Sequence, residues 1–446
     1  GADARSISAK EAKLEVRWMA SGNKACDMPM TPKMRVADVK VQVQERAGIP
    51  VSEQRIFAGP QELSEDAAAA GKNGSSLMLV RSISDPRTTN LGHFRVPMEF
   101  DALPQGAFAM VRQIQNSVYE HHWQGGLEEQ VAVKMFQKAA MEKQLGTETD
   151  ERSIHMEPWS NAPHAEDALT EIGIFAYLSR QPDLPEYLLR MLGCFSNDGL
   201  VWLVTEFAEG GDLFDVVISK YIPEEQARRY SWQLLQAITY LHHHCICHRD
   251  ISLENILLKD GSIKVMDFAM AVQTRSASGT VLRYFEPVGK NNYRAPEMYV
   301  PAKPEIGLVA PVNSAAGDVV MTKYQHTDLI EVRMPPDTVP GKFCSADVWG
   351  YAASPVDVFS AGICLFIMHY QCPAWVCARL HDPCFSYVYS HGMENGLKLM
   401  LHQHKKPLLS PDAMQVLTSM LQPNPCERPS AADCLKNPWF KMMSTF

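Results

Sequence analysis

The stretch HRDISLEN (248–255) sets Asp250 and Asn255 five positions apart, and Asp267 follows in KVMDFAMAV. That spacing lets a tight loop turn the first two groups toward one cavity. Far upstream, VAVKMF (131–136) alternates as a strand does and projects Lys134 to one face. A strand lysine taken alone is usually a solvated edge residue. Set in order with an aspartate–asparagine loop and a second aspartate, it becomes a candidate partner for bound anionic groups.

The 446 residues suffice for two or three domains. They are 46% hydrophobic and 21% charged, which is globular composition rather than disorder. The formal charge of −9 argues against broad nucleic-acid or membrane-surface binding. The longest apolar run, AGICLFIM, is shorter than the roughly 20 residues that cross a bilayer, and it reads as a buried helix. The 11 cysteines lack paired spacing and read as free thiols in a reducing compartment, so a cytoplasmic location is expected, with the nucleus as the alternative. Cys245 and Cys247 beside His242, His243 and His244 fit no standard zinc spacing. The chain begins at Gly1 without methionine or a secretory leader pattern and reads as trimmed or incomplete.

Residues 12–81 form a small unit. LEVRW reads as a strand. VADVKVQVQERAG places Val36, Val39, Val43 and Ala47 on one helical face ending at Gly48. A short strand and a closing strand, SSLMLVRS, follow. In DVKVQVQERAGIP, EQRIFAG and SLMLVRS this unit resembles ubiquitin. Arg81 is followed by SISDP rather than a Gly-Gly terminus, so the resemblance implies a built-in partner-binding domain, with a ubiquitin-pathway partner expected through residues 12–81. By analogy Ile56 and Val80 lie on its apolar partner face; ordinary core positions are the alternative. Residues 82–95 read as a polar linker. Residues 96–440 form the large unit, with surface insertions at 144–167 and in the proline-dotted region 300–353.

VAVKMF, HRDISLEN, KVMDFAMAV, YRAPE, DVFSAG and ERPS occur in that order, and over residues 96–440 the chain resembles a eukaryotic protein kinase of the serine/threonine type. The resemblance implies an α+β, two-lobed protein-kinase fold, with an N-lobe over 96–207 and a C-lobe over 208–440, preceded by a ubiquitin-like β-grasp domain. It implies ATP and Mg²⁺. Lys134 would contact the nucleotide phosphates and be steadied by Glu171, with Glu166 the rival. Asp250 would orient the substrate hydroxyl, while Asn255 and Asp267 would hold the metal. Around the nucleotide it implies Gly106, Val111, Ala132, the gatekeeper Thr205, the hinge at Glu206 and Ala208, Asp212 on the ribose, and Leu257. Arg249 would pair with a phosphate on Ser276, Ser278 or Thr280. Glu297 and Arg428 would form a buried ion pair, and Asp357 would brace the catalytic loop.

Four positions depart from that pattern. The glycine-rich loop would be PQGAFAMV (104–111), in which only Gly106 remains and Pro104 removes a backbone donor. Ala269 replaces the glycine after MDF, where a positive φ would be disfavoured. Ser252 stands where serine/threonine kinases carry a lysine, and Glu254 where tyrosine kinases carry an arginine. Lys290, in VGKNNYRAPE, stands where a threonine is usual. Ser252 and Lys290 therefore read as a reciprocal exchange, in which the cation reaches the catalytic aspartate from the facing loop; simple exposure of Lys290 is the alternative. An active kinase acting on a protein substrate, with Asp212 and Glu254 favouring basic sequence, is expected. The alternatives are a pseudokinase scaffold and a ubiquitin-pathway adaptor.

Overall fold

The computed structural model describes residues 13–18, 24–31, 33–47, 51, 54–58, 61–69, 77–81, 100–103, 105, 108–115, 117–124, 130–146, 167–197, 199–276 and 279–445. Two compact units are present: residues 1–86 with 275–281, and residues 87–274 with 282–446. The expected linker 82–95 lies outside the described residues, as does most of the 144–167 stretch.

In the first unit the strand Leu77–Arg81 is central, and Lys13–Trp18 lies beside it. Lys13–Trp18 pairs antiparallel with Lys24–Pro29 and parallel with Leu77–Arg81, and the sheet continues through Gln54–Ala58 to Gln61–Glu62. The helix Val36–Ala47 buries Val36, Val39 and Val43, the face marked by its 3–4 spacing, against Leu14, Val16, Met28 and Leu79. Sequence reading omitted the strand Lys24–Pro29, whose inward residues are Cys26 and Met28. Ile56 is fully buried in this core, so it is not on an exposed partner face. Val80 lies in the strand Leu77–Arg81, and its side chain is outside the described residues.

The second unit opens with a six-stranded sheet. Its order is Asp101–Ala102, Met191–Asn197, Leu200–Glu206, Gln130–Gln137, Val118–Trp123, Phe108–Gln115. The helix Ala168–Leu178 starts at Asp167, whose carboxylate accepts from the Leu169 and Thr170 backbone N–H groups. The rest is mostly helical. Glu224–His243 buries Ala227, Leu234, Leu235, Ile238 and Leu241 along one stripe. Ser354–Tyr370 contains AGICLFIM and is buried almost all round, as the core helix of the lobe. Among the described residues no helix is long and apolar enough to cross a membrane.

Region 300–353 is not the surface loop that its prolines suggest. It holds a four-stranded antiparallel sheet in the order Glu305–Val309, Phe343–Val348, Asp328–Arg333, Val319–Tyr324. The strand Asp328–Arg333 is buried nearly throughout, because its two faces serve two cores. Ile330 and Val332 fill the core of the inserted sheet, and Leu329 joins the main core. Arg379 grips Asp328 with two nitrogens, at 2.5 and 2.9 Å, fixing the sheet to the helical lobe.

Candidate active site

Lys134 sits on the strand Gln130–Gln137, and its Nζ donates to Glu171 Oε2 at 2.8 Å. Glu171 lies in the first turn of the helix Ala168–Leu178 and is 2% exposed, so burial on a helix fixes the flexible lysine stem. The rival, Glu166, lies outside the described residues. Asp267 Oδ1 stands 3.9 Å from the same Nζ. Below it, the buried Phe268 ring meets Phe175 edge-on at 5.0 Å and His248 at 5.3 Å, which links the helix to the loop that carries Asp250.

That loop is braced from beneath. Asp357, fully buried in the helix Ser354–Tyr370, accepts from the backbone N–H of His248 at 2.9 Å and of Arg249 at 2.8 Å. Its Oδ2 also lies 3.0 Å from His242 Nε2. Burial pushes this carboxyl up, but His242, His248 and the backbone donors outweigh it and hold it below the ordinary aspartate range. Cys247 Sγ donates to Ala353 O. His242, Cys247 and Asp357 lie close enough to hold a metal, yet each is engaged in a hydrogen bond that builds the loop.

Asn255 Nδ2 donates to Asp250 Oδ2 at 2.8 Å and to its carbonyl at 2.9 Å. Lys290 arrives from the facing segment. Its Nζ lies 2.9 Å from Ser252 Oγ and 3.5 Å from Asp250 Oδ2, and its N–H points to Asp250 Oδ1 at 3.3 Å. Gly289 permits this approach. It has φ +77°, and a Cβ there would stand 2.8 Å from Arg249 O. Ala269 is not a constraint, because the left-handed residue of the MDF turn is Asp267 at φ +66°.

At the hinge, Thr205 stands opposite Ala132, and both Thr205 and Ala208 are buried. The Glu206 carboxylate pairs with Lys259 and Lys264 at 3.0 and 3.1 Å. These lysines outweigh the upward push of burial and hold it low. Asp212 caps the helix Leu213–Ser219 by accepting from Asp215 N, and it bridges to Leu257 across the cleft floor. Burial, reinforced by Asp215 and Glu254, pushes its carboxyl up.

The expected glycine loop at 104–111 lies partly outside the described residues. Gly106 lies outside the described residues, and residues 108–115 are an edge strand with Val111 45% exposed. That strand pairs antiparallel with Val118–Trp123, with Gln115 opposite Val118. Val118 pairs directly with Lys134 and Glu120 with Ala132, so Val118 shares the face of Lys134. Phe108 packs instead on Trp123 in an aromatic cluster with Trp202 and Phe195. Among the described residues the tip of this hairpin is formed by Gln115, Ser117 and Val118, none of them a glycine. In PQGAFAMV, Gly106, Phe108 and Val111 fit the spacing of a glycine loop. The usable signal was Val118-Tyr119, at the distance from VAVK that a hairpin needs.

Arg249 is also placed differently from expectation. It is 8% exposed; Nε donates to Met270 O at 2.8 Å, NH1 to Tyr351 Oη at 3.2 Å, and the guanidinium lies over the Tyr284 ring. Thr280 is buried, with its N–H on Ser276 Oγ, and Ser278 lies outside the described residues. Glu297 and Arg428 form the expected ion pair, bidentate at 2.5 and 2.6 Å with both side chains wholly buried.

Residues 105–307 match the protein kinase domain family. The match ends within the first strand of the inserted sheet, Glu305–Val309. The chain is 27% identical over 283 residues to the serine/threonine-protein kinase CHK1 of Saccharomyces cerevisiae, covering 63% of this chain and 43% of that one. It is 27% identical over 258 residues to the carbon catabolite-derepressing protein kinase of Candida tropicalis (57% and 31%). It is 26% identical over 257 residues to the CBL-interacting serine/threonine-protein kinase 26 of Arabidopsis thaliana (57% and 45%). The chain spans less than half the length of each of these three relatives. Residues 105–307 are thus similar to protein kinase domains, and the relatives named are serine/threonine-protein kinases or a protein kinase by name.

Proposed function

We propose that the protein transfers the γ-phosphate of ATP to serine or threonine hydroxyls of protein substrates, with Lys290 serving as the cation of its catalytic loop. The observation that carries this reading is the contact of Lys290 Nζ with Ser252 Oγ beside the Asp250 carboxylate. Phosphoryl transfer depends on positioning and charge neutralisation. Asp250, oriented by Asn255, accepts the hydroxyl proton as the substrate oxygen bonds to phosphorus and ADP leaves. Lys290 offsets charge on the transferring group from one side, and Lys134, steadied by Glu171, holds the nucleotide phosphates from the other. Asn255, with its amide nitrogen committed to Asp250, offers its carbonyl oxygen, and Asp267 offers a carboxylate; this hard-oxygen set suits Mg²⁺. Bound there, the ion would neutralise phosphate charge.

Asp212 and Glu254 are acidic neighbours, and Glu254 adds to the upward push on the Asp212 carboxyl. This acidic pair supports a basic residue in the substrate. A Mg²⁺-dependent transfer assay on a basic protein tests the whole reading. Transfer by the wild type and its loss in Asp267→Asn are expected; a wild type that transfers nothing refutes it.

A second reading, a scaffold that binds nucleotide weakly, draws on the glycine-free hairpin, because glycine normally lets backbone N–H groups approach phosphates. Absence of thermal stabilisation by millimolar Mg-ATP favours it. For residues 12–81, the parallel pairing of the first and last strands around one helix supports the ubiquitin-like reading and a partner-binding role. Retention of ubiquitin-pathway proteins by the full chain, lost on deleting this unit, is expected. The eleven free cysteines support a cytoplasmic or nuclear setting.

A further inference from the structure

The segment that delivers Lys290 is held by the inserted sheet. Arg283–Tyr284 pairs antiparallel with Tyr351–Ala352, the last strand of the insertion, in the register Arg283↔Ala352 and Tyr284↔Tyr351. Tyr351 is fully buried, and its hydroxyl does two things. It donates to Glu286 O at 2.8 Å, and it accepts from Arg249 NH1. Arg249 is further sandwiched by Tyr284, whose own hydroxyl donates to Gln273 O. Arg283 donates to Glu331 Oε2 at 2.9 Å; Glu331 is 4% exposed in the strand Asp328–Arg333, and Trp349 N–H closes onto its carbonyl. Gly350 makes the crossing possible. Its φ is +62°, and a Cβ there would run into Tyr284 O.

We propose that the inserted sheet takes the place of an activating phosphate: Tyr351, backed by Gly350 and Glu331, occupies Arg249 and fixes residues 283–290, so that Lys290 reaches Asp250 without modification of the segment. The catalytic part of this statement rests on the proposed role of Lys290; the clamp itself does not. Arg249 is the guanidinium expected to wait for a phosphate. Here it is buried, Nε donates to Met270 O and NH1 to Tyr351, so an incoming phosphate would compete with the insertion for NH1. Tyr351 is a positioning residue. It touches neither nucleotide nor substrate, and acts through Glu286 and the short run from there to Lys290.

The experiment uses the full chain, treated with phosphatase and confirmed phosphate-free by mass. Amide hydrogen exchange is followed over 283–290 in the wild type and in Tyr351→Phe, which keeps the ring and its packing. The wild-type segment should be protected. Tyr351→Phe should exchange roughly ten-fold faster or more, the scale of a buried hydrogen bond lost from two partners. With Mg-ATP and a basic protein, kcat should fall about ten-fold while the KM for ATP stays within about two-fold. A segment that exchanges freely when phosphate-free, or becomes protected only once Ser276, Ser278 or Thr280 is phosphorylated, overturns the clamp. So does Tyr351→Phe matching the wild type in exchange, or a variant whose KM rises while kcat holds. A protected segment in a protein that transfers nothing upholds the clamp and removes only the proposed activity.

Discussion

Replacing Lys290 by methionine removes the ammonium and keeps most of the stem. The Nζ lies 3.5 Å from Asp250 Oδ2, so a phosphoryl group in transfer to a hydroxyl at Asp250 would sit about 4 Å from it. At that distance and an effective dielectric of about 20, the attraction of one charge is about 4 kcal/mol. The Lys290 side chain is 36% exposed, so solvent screening reduces this to about 2 kcal/mol. About 2 kcal/mol corresponds to a roughly 30-fold fall in kcat. The assay is steady-state transfer to a basic protein, with Asp250→Asn setting the floor. The exchange reading makes a sharper demand. Ser252→Lys combined with Lys290→Thr returns the cation to the catalytic loop and the hydroxyl to the facing segment, and should recover kcat to within about three-fold of the wild type. Lys290→Met turning over at the wild-type rate refutes the reasoning. So does a double variant no faster than Lys290→Met, because either result means that the ammonium is a bystander.

Three further outcomes are expected. Glu297→Gln leaves the wholly buried Arg428 without its counter-charge, which should cost about 3–5 kcal/mol and lower Tm by roughly 6–15 °C, read by calorimetry on the full chain. Asp357 has its folded-state pKa held below the unfolded value of 3.8, so its contribution is complete above that pH and is lost as pH falls through the folded value. Asp357→Asn should therefore lower Tm at neutral pH and flatten the acid limb of the Tm profile below about pH 4. Val118→Phe should abolish thermal stabilisation by Mg-ATP, whereas Val111→Phe, on the exposed edge strand, should leave it intact; equal effects would return the phosphate loop to 104–111.

The parts of the site legible in the sequence are those whose chemistry is local. Asp250 and Asn255 lie on one loop, so their spacing already turns both toward one cavity, where the structure brings them to 2.8 Å. Lys290 is separated from Ser252 by 38 positions, and it was legible only because both ends of one exchange depart from pattern together. Strand pairing was less accessible. A hairpin can be shifted along a sequence until register is fixed by its partner, and here the register of Val118 against Lys134 decided it. PQGAFAMV offered a glycine and an aromatic residue, but Phe108 belongs with Trp123 and Trp202 on the other face of the sheet. Arg249 was assigned to a phosphate because charge suggests a charged partner. Its actual contacts are the Met270 carbonyl, the Tyr284 ring and the Tyr351 phenol, and the last of these comes from 102 positions further along the chain, beyond any local spacing.

The insertion could enter the helical lobe where it does because the two points it separates are independently anchored. On one side Glu297 is locked to Arg428, and on the other Asp357 is locked to the backbone of the catalytic loop. Neither pair depends on the length of chain between them, since each is closed by residues outside 300–353. Loop-closure cost grows only slowly with length, about 0.6 kcal/mol per doubling, so a stretch with its own core can be accommodated. What the sheet then gains is specific. Its strand Asp328–Arg333 places Glu331 under Arg283, and its last strand places Tyr351 against Arg249. Glu331 itself carries a consequence. Burial pushes its carboxyl above the ordinary range and Glu297 adds to this, with Arg283 only partly compensating. A carboxyl raised on folding penalises the folded state above its folded pKa, and the penalty is relieved as pH falls through that value. Glu331→Gln, which keeps an acceptor for Arg283 without the charge, should therefore leave the neutral-pH Tm unchanged or higher, while loosening residues 283–290 in hydrogen exchange. A large fall in Tm would mean that the Arg283–Glu331 contact is worth more as an ion pair than its burial costs, and the insertion would then be a main support of the lobe as well as the clamp on its segment.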